Sequence, residues 1–176
     1  MPYSRLYIFL EGGDDERIFE SAFKEEFKKY DHVQFVKHCQ MKDEKVDSFI
    51  KSINGMGANY IFVCDKDKDC IGLSKQKYLD KYSVLEEEKM IIVEKEIESW
   101  YLAIVSNGFK TKYKISEFVD TNSLTKEEYI SKMPKSFTSK IDFMIESLKH
   151  IDICLGITKN RSLNYFVRKY QITDCL

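Results

Sequence analysis

The chain is poor in the residues that mark flexible linkers, disulfide frameworks and membrane spans. Two prolines and seven glycines in 176 residues argue against several modules joined by flexible linkers. The five cysteines form no C-x-x-C pair and show no zinc-ligand spacing, and their odd number favours reduced thiols. No apolar run approaches the roughly 18 residues that a membrane span needs, and the first residues lack the apolar core of a signal peptide. We therefore expect a soluble, cytoplasmic protein with no membrane partner.

What the sequence does contain is enough apolar material for one sizeable core. Apolar residues make up 43% of the chain and aromatic residues 14%, which excludes wholesale disorder. The formal net charge of −1 excludes no class of partner, but the charge is uneven. The first hundred residues are net acidic and the remainder is net basic. This distribution fits a metal site facing a phosphate-binding wall, and it equally fits a random scatter of surface charge.

Short apolar runs without alternation predict strands that are buried on both faces of a parallel sheet. Helical spacing of apolar residues separates these runs along the chain. The predicted strands cover residues 4–10, 33–36, 59–64 and 89–93, and the predicted helices between and after them cover residues 14–30, 43–54 and 94–105. Residues 66–82 are predicted to form a polar loop or a short helix. The alternation predicts an α/β fold with a largely parallel four-stranded sheet flanked by helices.

Beyond Asn107-Gly108 the pattern changes from strand–helix alternation to helices alone. The predicted helices cover residues 125–132, 137–150 and 161–170. Residues 110–119 are predicted to form a loop or an irregular edge strand, whose alternating lysines suit either a nucleic-acid backbone or the protection of a sheet edge. We therefore predict an α/β domain over residues 1–108 and a C-terminal helical extension packed on it over residues 109–176.

Acidic residues follow the first and third predicted strands at the point where each strand ends. Glu11 and Asp15 follow the first strand, and Asp65 and Asp67 follow the third. Ligands of open α/β sheets bind at the carboxyl ends of the strands, and the two acids of an Asp-x-Asp point to the same side of an extended chain. Oxygen ligands of this kind suit Mg²⁺ or Mn²⁺. Each acid taken alone also fits a solvated loop residue or a helix cap.

Three other motifs with clustered acids fit less well. A calcium-binding EF-hand loop starting at Asp65 would need Gly and Glu where Cys70 and Gln76 stand. An aspartyl phosphatase would place Thr or Val at Lys68, and a receiver domain would place Thr and Lys after its later strands, where this chain has more acids. A phospho-acceptor signalling domain, phosphorylated at Asp65, is kept as an alternative.

Two segments together resemble a known family. Phe9-Leu10-Glu11-Gly12-x-x-Asp15-x-x-x-Phe19 and Phe62-Val63-Cys64-Asp65-x-Asp67 resemble the Toprim domain of topoisomerases, primases and related nucleases. Residues 94–103, Glu-Lys-Glu-Ile-Glu-Ser-Trp-Tyr-Leu-Ala, are similar to small stand-alone Toprim-like proteins related to the nuclease domains of overcoming-lysogenization-defect enzymes, many of them linked to phage defence. The resemblance covers about residues 5–105. The chain carries no Walker A motif, no zinc-binding primase module and no separate domain for a nucleophilic tyrosine.

The resemblance implies a Mg²⁺-dependent nuclease that cleaves phosphodiester bonds in DNA or RNA. Glu11 would act as general acid/base or as a metal ligand, and Asp15, Asp65 and Asp67 would hold one or two ions. Glu96 and Glu98 would complete a second metal position or orient the water, with Glu98 assigned a catalytic role. For both of these residues the alternative is favourable placement at a helix N-terminus.

The basic candidates for phosphate binding are Lys66, Lys68, Lys159 and Arg161. Neutralisation of neighbouring acids by the first two, and an ordinary helix cap beside a solvated Arg161, are the alternatives. His32, His38 and His150 lie outside the acidic turns and are given no catalytic role. The alternative function is a catalytically silent Toprim-like module that binds nucleic acid or a separately encoded ATPase.

Overall fold

The computed structural model describes residues 3–66 and 70–172. Over these ranges it confirms the predicted α/β fold, with a four-stranded, all-parallel sheet flanked by helices and further helices towards the C-terminus. The chain divides into two compact units. The first comprises the chain up to Glu16 together with Glu25–Val93, and the second comprises Arg17–Lys24 together with the chain from Glu94 onwards. The domain boundary at residue 108 stays a prediction.

The sheet has the strand order β2-β1-β3-β4. Its strands are β1 (Arg5–Leu10), β2 (His32–Lys37), β3 (Asn59–Asp65) and β4 (Met90–Val93). Consecutive residues of β1, β3 and β4 are buried, as expected for strands covered on both faces. Phe9 of β1 is paired with Phe62 of β3, so the two strands end close together at the same edge of the sheet.

Three helices follow strands of the first unit. They are α1 (Gly13–Ile18), whose last two residues belong to the second unit, α2 (Asp43–Gly55) and α3 (Ile71–Lys81). Helix α2 buries Val46, Ile50 and Ile53, at the spacing that predicted an amphipathic helix, in one apolar cluster with Phe9 and Phe62 of the sheet. This cluster holds the strands in register because a slip of one residue would turn every apolar side chain to the other face.

The second unit contains the remaining helices of the described residues. They are α4 (Glu98–Ile104), α5 (Asn107–Tyr113), α6 (Lys126–Ser131), α7 (Lys140–Ser147), α8 (Ile153–Lys159) and α9 (Arg161–Tyr170). Helix α8 was not predicted. The single helix predicted over residues 14–30 is wrong: α1 ends at Ile18, and a π-helical turn (Phe19–Phe23) and a 3₁₀ turn (Lys24–Phe27) follow it.

Aromatic packing forms the centre of the second unit. Phe19, Phe23, Trp100 and Phe166 are fully buried, and the Phe166 ring lies 5.3 Å from that of Phe19, 5.1 Å from that of Phe23 and 5.3 Å from that of Trp100 between ring centroids. Tilted and edge-on arrangements of this kind are the favourable geometries for aromatic pairs.

The prediction of a loop or edge strand over residues 110–119 is wrong for its first part. Ser106 caps α5 by accepting a hydrogen bond from Phe109 N, and Phe109 is buried, so the segment starts as a helix. Lys114 ends the helix in the left-handed region with φ of 55°. Lys110 and Lys112 therefore lie in a helix and Lys114 at its end, so these lysines do not alternate along an extended segment.

The state of the cysteines and the length of the helices bear on two further expectations. Cys39, Cys64 and Cys70 form no disulfide, whereas Cys154 is disulfide-bonded, so the expectation of reduced thiols is wrong at that position. Over the described part of the chain, every helix is too short or too polar to cross a membrane.

Gly156 lets α8 approach α4 closely. A Cβ atom at this position would lie 2.8 Å from Ile104 Cγ2, 3.0 Å from Leu163 Cδ2 and 3.2 Å from the Ile104 Cα atom. The last of these is backbone and cannot move aside without shifting α4. Gly108, in α5, has open space around the same position.

We predict that Gly156→Ala lowers the free energy of unfolding by about 1–3 kcal/mol, the usual cost of overpacking a core. Gly108→Ala is the matched control, and we expect it to be neutral or stabilising by up to about 1 kcal/mol because Ala restricts the unfolded chain more than Gly. Urea denaturation of both variants measures the difference. Equal stability of the two variants would contradict the close approach at Gly156.

Candidate functional site

The topological switch point of the sheet lies between β1 and β3. From β1 the chain crosses to β2 on one side, whereas β3 and β4 lie on the other side. Ligands of open α/β sheets bind in the crevice outside the carboxyl ends of the strands at such a point. Glu11 directly follows β1, and Asp65 is the last residue of β3. The fold therefore brings these two predicted site residues to the position at which a ligand is expected.

A hydrogen bond joins the ends of the two strands. The backbone N–H of Asp65 donates to Glu11 Oε1 at 2.9 Å. Tyr78 of α3 donates its hydroxyl proton to the same oxygen at 3.2 Å. The carboxylate of Glu11 is thus oriented by two donors at the carboxyl edge of the sheet. Tyr78 was not singled out in the sequence, because its role depends on the packing of α3.

Asp15 joins this group of acids from the first turn of α1. Its Oδ2 accepts a hydrogen bond from Gly12 N at 3.0 Å, and the residue is only 4% exposed. Burial raises the pKa of the nearby Cys39 thiol, and the negative charges of Glu11, Asp15 and Asp65 raise it further. Three carboxylates therefore act on one thiol. Asp67 and Lys68 lie outside the described residues.

His38 and Cys39 follow β2 directly, in a short 3₁₀ turn. His38 is 2% exposed, its ring stacks on that of Phe62 with centroids 4.5 Å apart, and its Nε2 donates to Val63 O at 3.2 Å. Burial lowers the pKa of His38, so the imidazole is neutral at pH 7. Since Nε2 carries the proton, Nδ1 is the acceptor, and it lies 3.7 Å from Cys39 Sγ.

The donor atoms of Glu11, His38 and Cys39 all lie within 4.8 Å of one another. His38 was predicted to have no catalytic role because it lies outside the acidic turns. The signal that would have found both residues is their position, since they follow the strand beside β1 and therefore reach the same edge of the sheet.

Glu96 and Glu98 belong to the second unit, where both have structural partners. Glu98, 4% exposed at the start of α4, forms an ion pair with Lys140 at the start of α7. Glu96 accepts a hydrogen bond from the backbone N–H of Lys126 in the first turn of α6. Their predicted roles in metal binding and catalysis stay predictions.

The basic candidates differ in their surroundings. Arg161 makes a two-pronged ion pair with Glu94, with Nε 3.1 Å from Oε2 and Nη2 3.0 Å from Oε1, although its side chain is 76% exposed. The Lys66 backbone N–H donates to Val93 O at 2.8 Å, which fixes the chain just after β3. Lys159 ends α8 and lies near the buried Lys110. Phosphate binding by these side chains stays a prediction.

Asn160 joins α8 to α9 through a buried polar network. Its Oδ1 caps α9 by accepting from Leu163 N at 2.9 Å and also accepts from Ser162 Oγ at 2.8 Å. Its amide donates to Ser99 and Thr121, at 3.2 and 3.1 Å. The helix cap expected beside Arg161 is therefore Asn160, and Ser162 belongs to the same network.

Comparison of the chain with protein-family models, with curated proteins and with solved structures finds no match. The resemblance to Toprim domains accordingly rests on the sequence motifs alone and stays a prediction.

Lys110 of α5 is buried, which is rare for a lysine side chain. It is 2% exposed, and its ammonium group has no hydrogen-bond partner within the described parts of the chain. Burial, and next the positive charge of Lys159, lower its pKa from 10.5 to about 8. Between these two pH values the unfolded chain binds more protons than the folded chain, so the free energy of unfolding rises with pH over this window.

We predict that Lys110→Met raises the stability at pH 7 and abolishes the rise in stability between about pH 8 and pH 10.5, because it removes a charge that is buried at a cost. Urea denaturation over this pH range measures both effects. Lys112→Met, an exposed position of the same helix, is the control and should keep the pH dependence. A pH dependence of stability that is unchanged in Lys110→Met would contradict the attribution of the rise to the lowered pKa of Lys110.

Proposed function

We propose that this chain is a Mg²⁺- or Mn²⁺-dependent nuclease that hydrolyses phosphodiester bonds in DNA or RNA. The observation that carries the proposal is the hydrogen bond between the Asp65 backbone and Glu11 at the switch point of the sheet. It brings the carboxylate of Glu11, which follows β1, to the backbone of Asp65 at the end of β3, and both residues belong to the Toprim-like motifs. The buried Asp15 adds a third carboxylate to the same region.

The chemistry of this donor set fits a hard divalent cation. Mg²⁺ and Mn²⁺ prefer oxygen ligands, and Mg²⁺ takes one or two carboxylates while it keeps water molecules for a phosphate substrate. Carboxylates gathered at one edge repel one another unless a cation neutralises them. Asp15, Asp65 and Asp67 would hold one or two ions, and Glu11 would act as general acid/base or, alternatively, as a further ligand.

A divalent ion held by these carboxylates would supply a lowered pKa for the attacking water and positive charge beside the scissile phosphate. Glu11 would accept the proton of the water as the water oxygen attacks phosphorus, and would return that proton to the departing oxygen as the phosphorus–oxygen bond breaks. The Asp65 N–H and the Tyr78 hydroxyl hold Glu11 Oε1 in one orientation for this transfer. Completion of a second metal position or orientation of the water by Glu96 and Glu98 is part of this proposal.

The substrate phosphates would be bound by lysines and arginines. Lys66, Lys68, Lys159 and Arg161 are the proposed contacts, since ammonium and guanidinium groups supply most of the affinity for a nucleic-acid backbone. Arg161 is exposed enough to reach a phosphate while one of its edges is engaged by Glu94. A separately encoded ATPase partner and a role in phage defence belong to the same proposal and rest on the resemblance alone.

We predict that Glu11→Gln and Asp65→Asn each reduce Mg²⁺-dependent cleavage of single- and double-stranded DNA and RNA by at least about 100-fold, equivalent to about 2.7 kcal/mol of transition-state stabilisation. Glutamine keeps an oxygen that accepts from Asp65 N and Tyr78, so the first variant removes charge while it preserves geometry. Time courses with end-labelled substrates, with and without Mg²⁺ or Mn²⁺, measure the effect.

Asp80→Asn, an exposed acid of α3 in the same unit, is the matched control and should leave cleavage unchanged. Cleavage by the wild-type chain that survives in Glu11→Gln and Asp65→Asn would contradict the proposed site. A wild-type chain that binds nucleic acid without cutting it would replace the proposal by the silent binding module.

A further inference from the structure

We propose that Glu11, His38 and Cys39 form a binding site for a borderline divalent transition metal of the Zn²⁺ and Co²⁺ class. This site is distinct in chemistry from a magnesium site, because it combines a carboxylate with an imidazole and a thiol. It shares Glu11 with the proposed nuclease site but does not depend on nuclease activity.

The distances between the donor atoms suit such an ion. A tetrahedral zinc with Zn–N bonds of about 2.0–2.1 Å and a Zn–S bond of about 2.3 Å separates nitrogen from sulfur by roughly 3.5 Å. His38 Nδ1 and Cys39 Sγ lie 3.7 Å apart, and one donor atom from each of Glu11, His38 and Cys39 lies within 4.8 Å of the other two. An adjustment of the Glu11 side chain by about 1 Å closes the set.

The ring of His38 has the orientation and the hydrogen-bonded N–H that are usual for a metal-binding histidine. A ligating imidazole generally donates its second ring N–H to a carboxylate or a backbone carbonyl, which fixes both the tautomer and the orientation of the ring. In His38 the Nε2–H donates to Val63 O, and the ring is stacked on Phe62. Nδ1 therefore presents its lone pair towards Cys39 without rearrangement.

The choice of ligands selects the class of ion. Thiolate and imidazole ligands favour Zn²⁺ and Co²⁺ over Mg²⁺, whose ligands are oxygens. Cys39 is exposed, so an ion can reach it from solvent. On binding, the thiol proton is released to solvent and sulfur forms the bond to the metal, with no change of oxidation state. Three protein ligands leave a fourth position for water, as in zinc sites that are open to exchange.

The competing explanation is a simple hydrogen bond from the Cys39 thiol to His38 Nδ1. Titration of the full chain, metal-free and kept without oxygen, with Co²⁺ separates the two. We expect a sulfur-to-cobalt charge-transfer band in the near ultraviolet that saturates at one Co²⁺ per chain and disappears when Zn²⁺ is added. Absence of this band would overturn the proposal and leave the hydrogen bond as the role of the pair.

Matched variants identify the ligands. Cys39→Ala should abolish the charge-transfer band, whereas Cys70→Ala, which removes another exposed free thiol, should keep it. His38→Gln should weaken Co²⁺ binding by at least about 10–100-fold, the loss that even an outer-shell change produces. Because His38 is buried, circular dichroism must show a folded variant; Cys39 is exposed, so Cys39→Ala decides the matter if His38→Gln fails to fold. A band that persists in Cys39→Ala would overturn the assignment.

Asp65→Asn separates this inference from the proposed nuclease. Asp65 is not a ligand of the Glu11, His38 and Cys39 site, so the variant should keep the cobalt band. Failure of the nuclease proposal would appear as absent Mg²⁺-dependent cleavage in a wild-type chain that still shows the band. Failure of the metal site would appear as a missing band, whether or not the chain cleaves nucleic acid.

Discussion

The arrangement of acids in the first unit depends on the hydrogen bond from the Asp65 backbone to Glu11 at the ends of β1 and β3. This bond forms only if the end of β3 lies beside the residue that follows β1, and the pairing of Phe9 with Phe62 sets that register. Burial on both faces opposes a slip of the pairing, because a shift of one residue would turn each side chain to the wrong face. Core packing therefore determines the geometry of the charged groups at the edge.

The Glu11 carboxylate has two kinds of neighbouring group, namely other carboxylates and the imidazole and thiol donors of His38 and Cys39. The negative charges of Asp15 and Asp65 act on Cys39 together with that of Glu11, and donor atoms of His38 and Cys39 lie within 4.8 Å of a Glu11 carboxylate oxygen. Hard and borderline cations differ in their preference for these donors, so the two proposed metal sites would select different ions. The order β2-β1-β3 places both sets of neighbours at a single strand end.

Sequence alone predicted the strands of the sheet because β1, β3 and β4 are short apolar runs between turn signals, and β2 is a short segment rich in β-branched and aromatic residues. The proximity of Glu11 and Asp65 followed from the rule about carboxyl ends. The same rule, applied to β2, would have pointed to His38 and Cys39. Contacts such as that between Glu98 and Lys140, 42 residues apart, had no local signal, since tertiary packing alone brings these side chains together.

The prediction for residues 110–119 was wrong for a different reason. The alternation of lysines with other residues favoured an extended chain, but the Ser106 cap and the burial of Phe109 stabilise helix α5. Local patterns predict an element well when burial and backbone preference agree, and poorly when a cap and one buried ring outweigh the pattern.

The π-helical turn at Phe19–Phe23 makes the length of this segment as important as its composition. A π-helical turn accommodates one more residue than an α-helical turn. Deleting one residue here would allow ordinary α-helical bonding, and a deletion between Phe19 and Phe23 would place them three positions apart instead of four. Their rings, whose centroids are 5.5 Å apart and which both contact Phe166, would then lie at a different angle to each other. Among related chains, exchanges of one apolar residue for another should be common in this turn, and insertions or deletions rare.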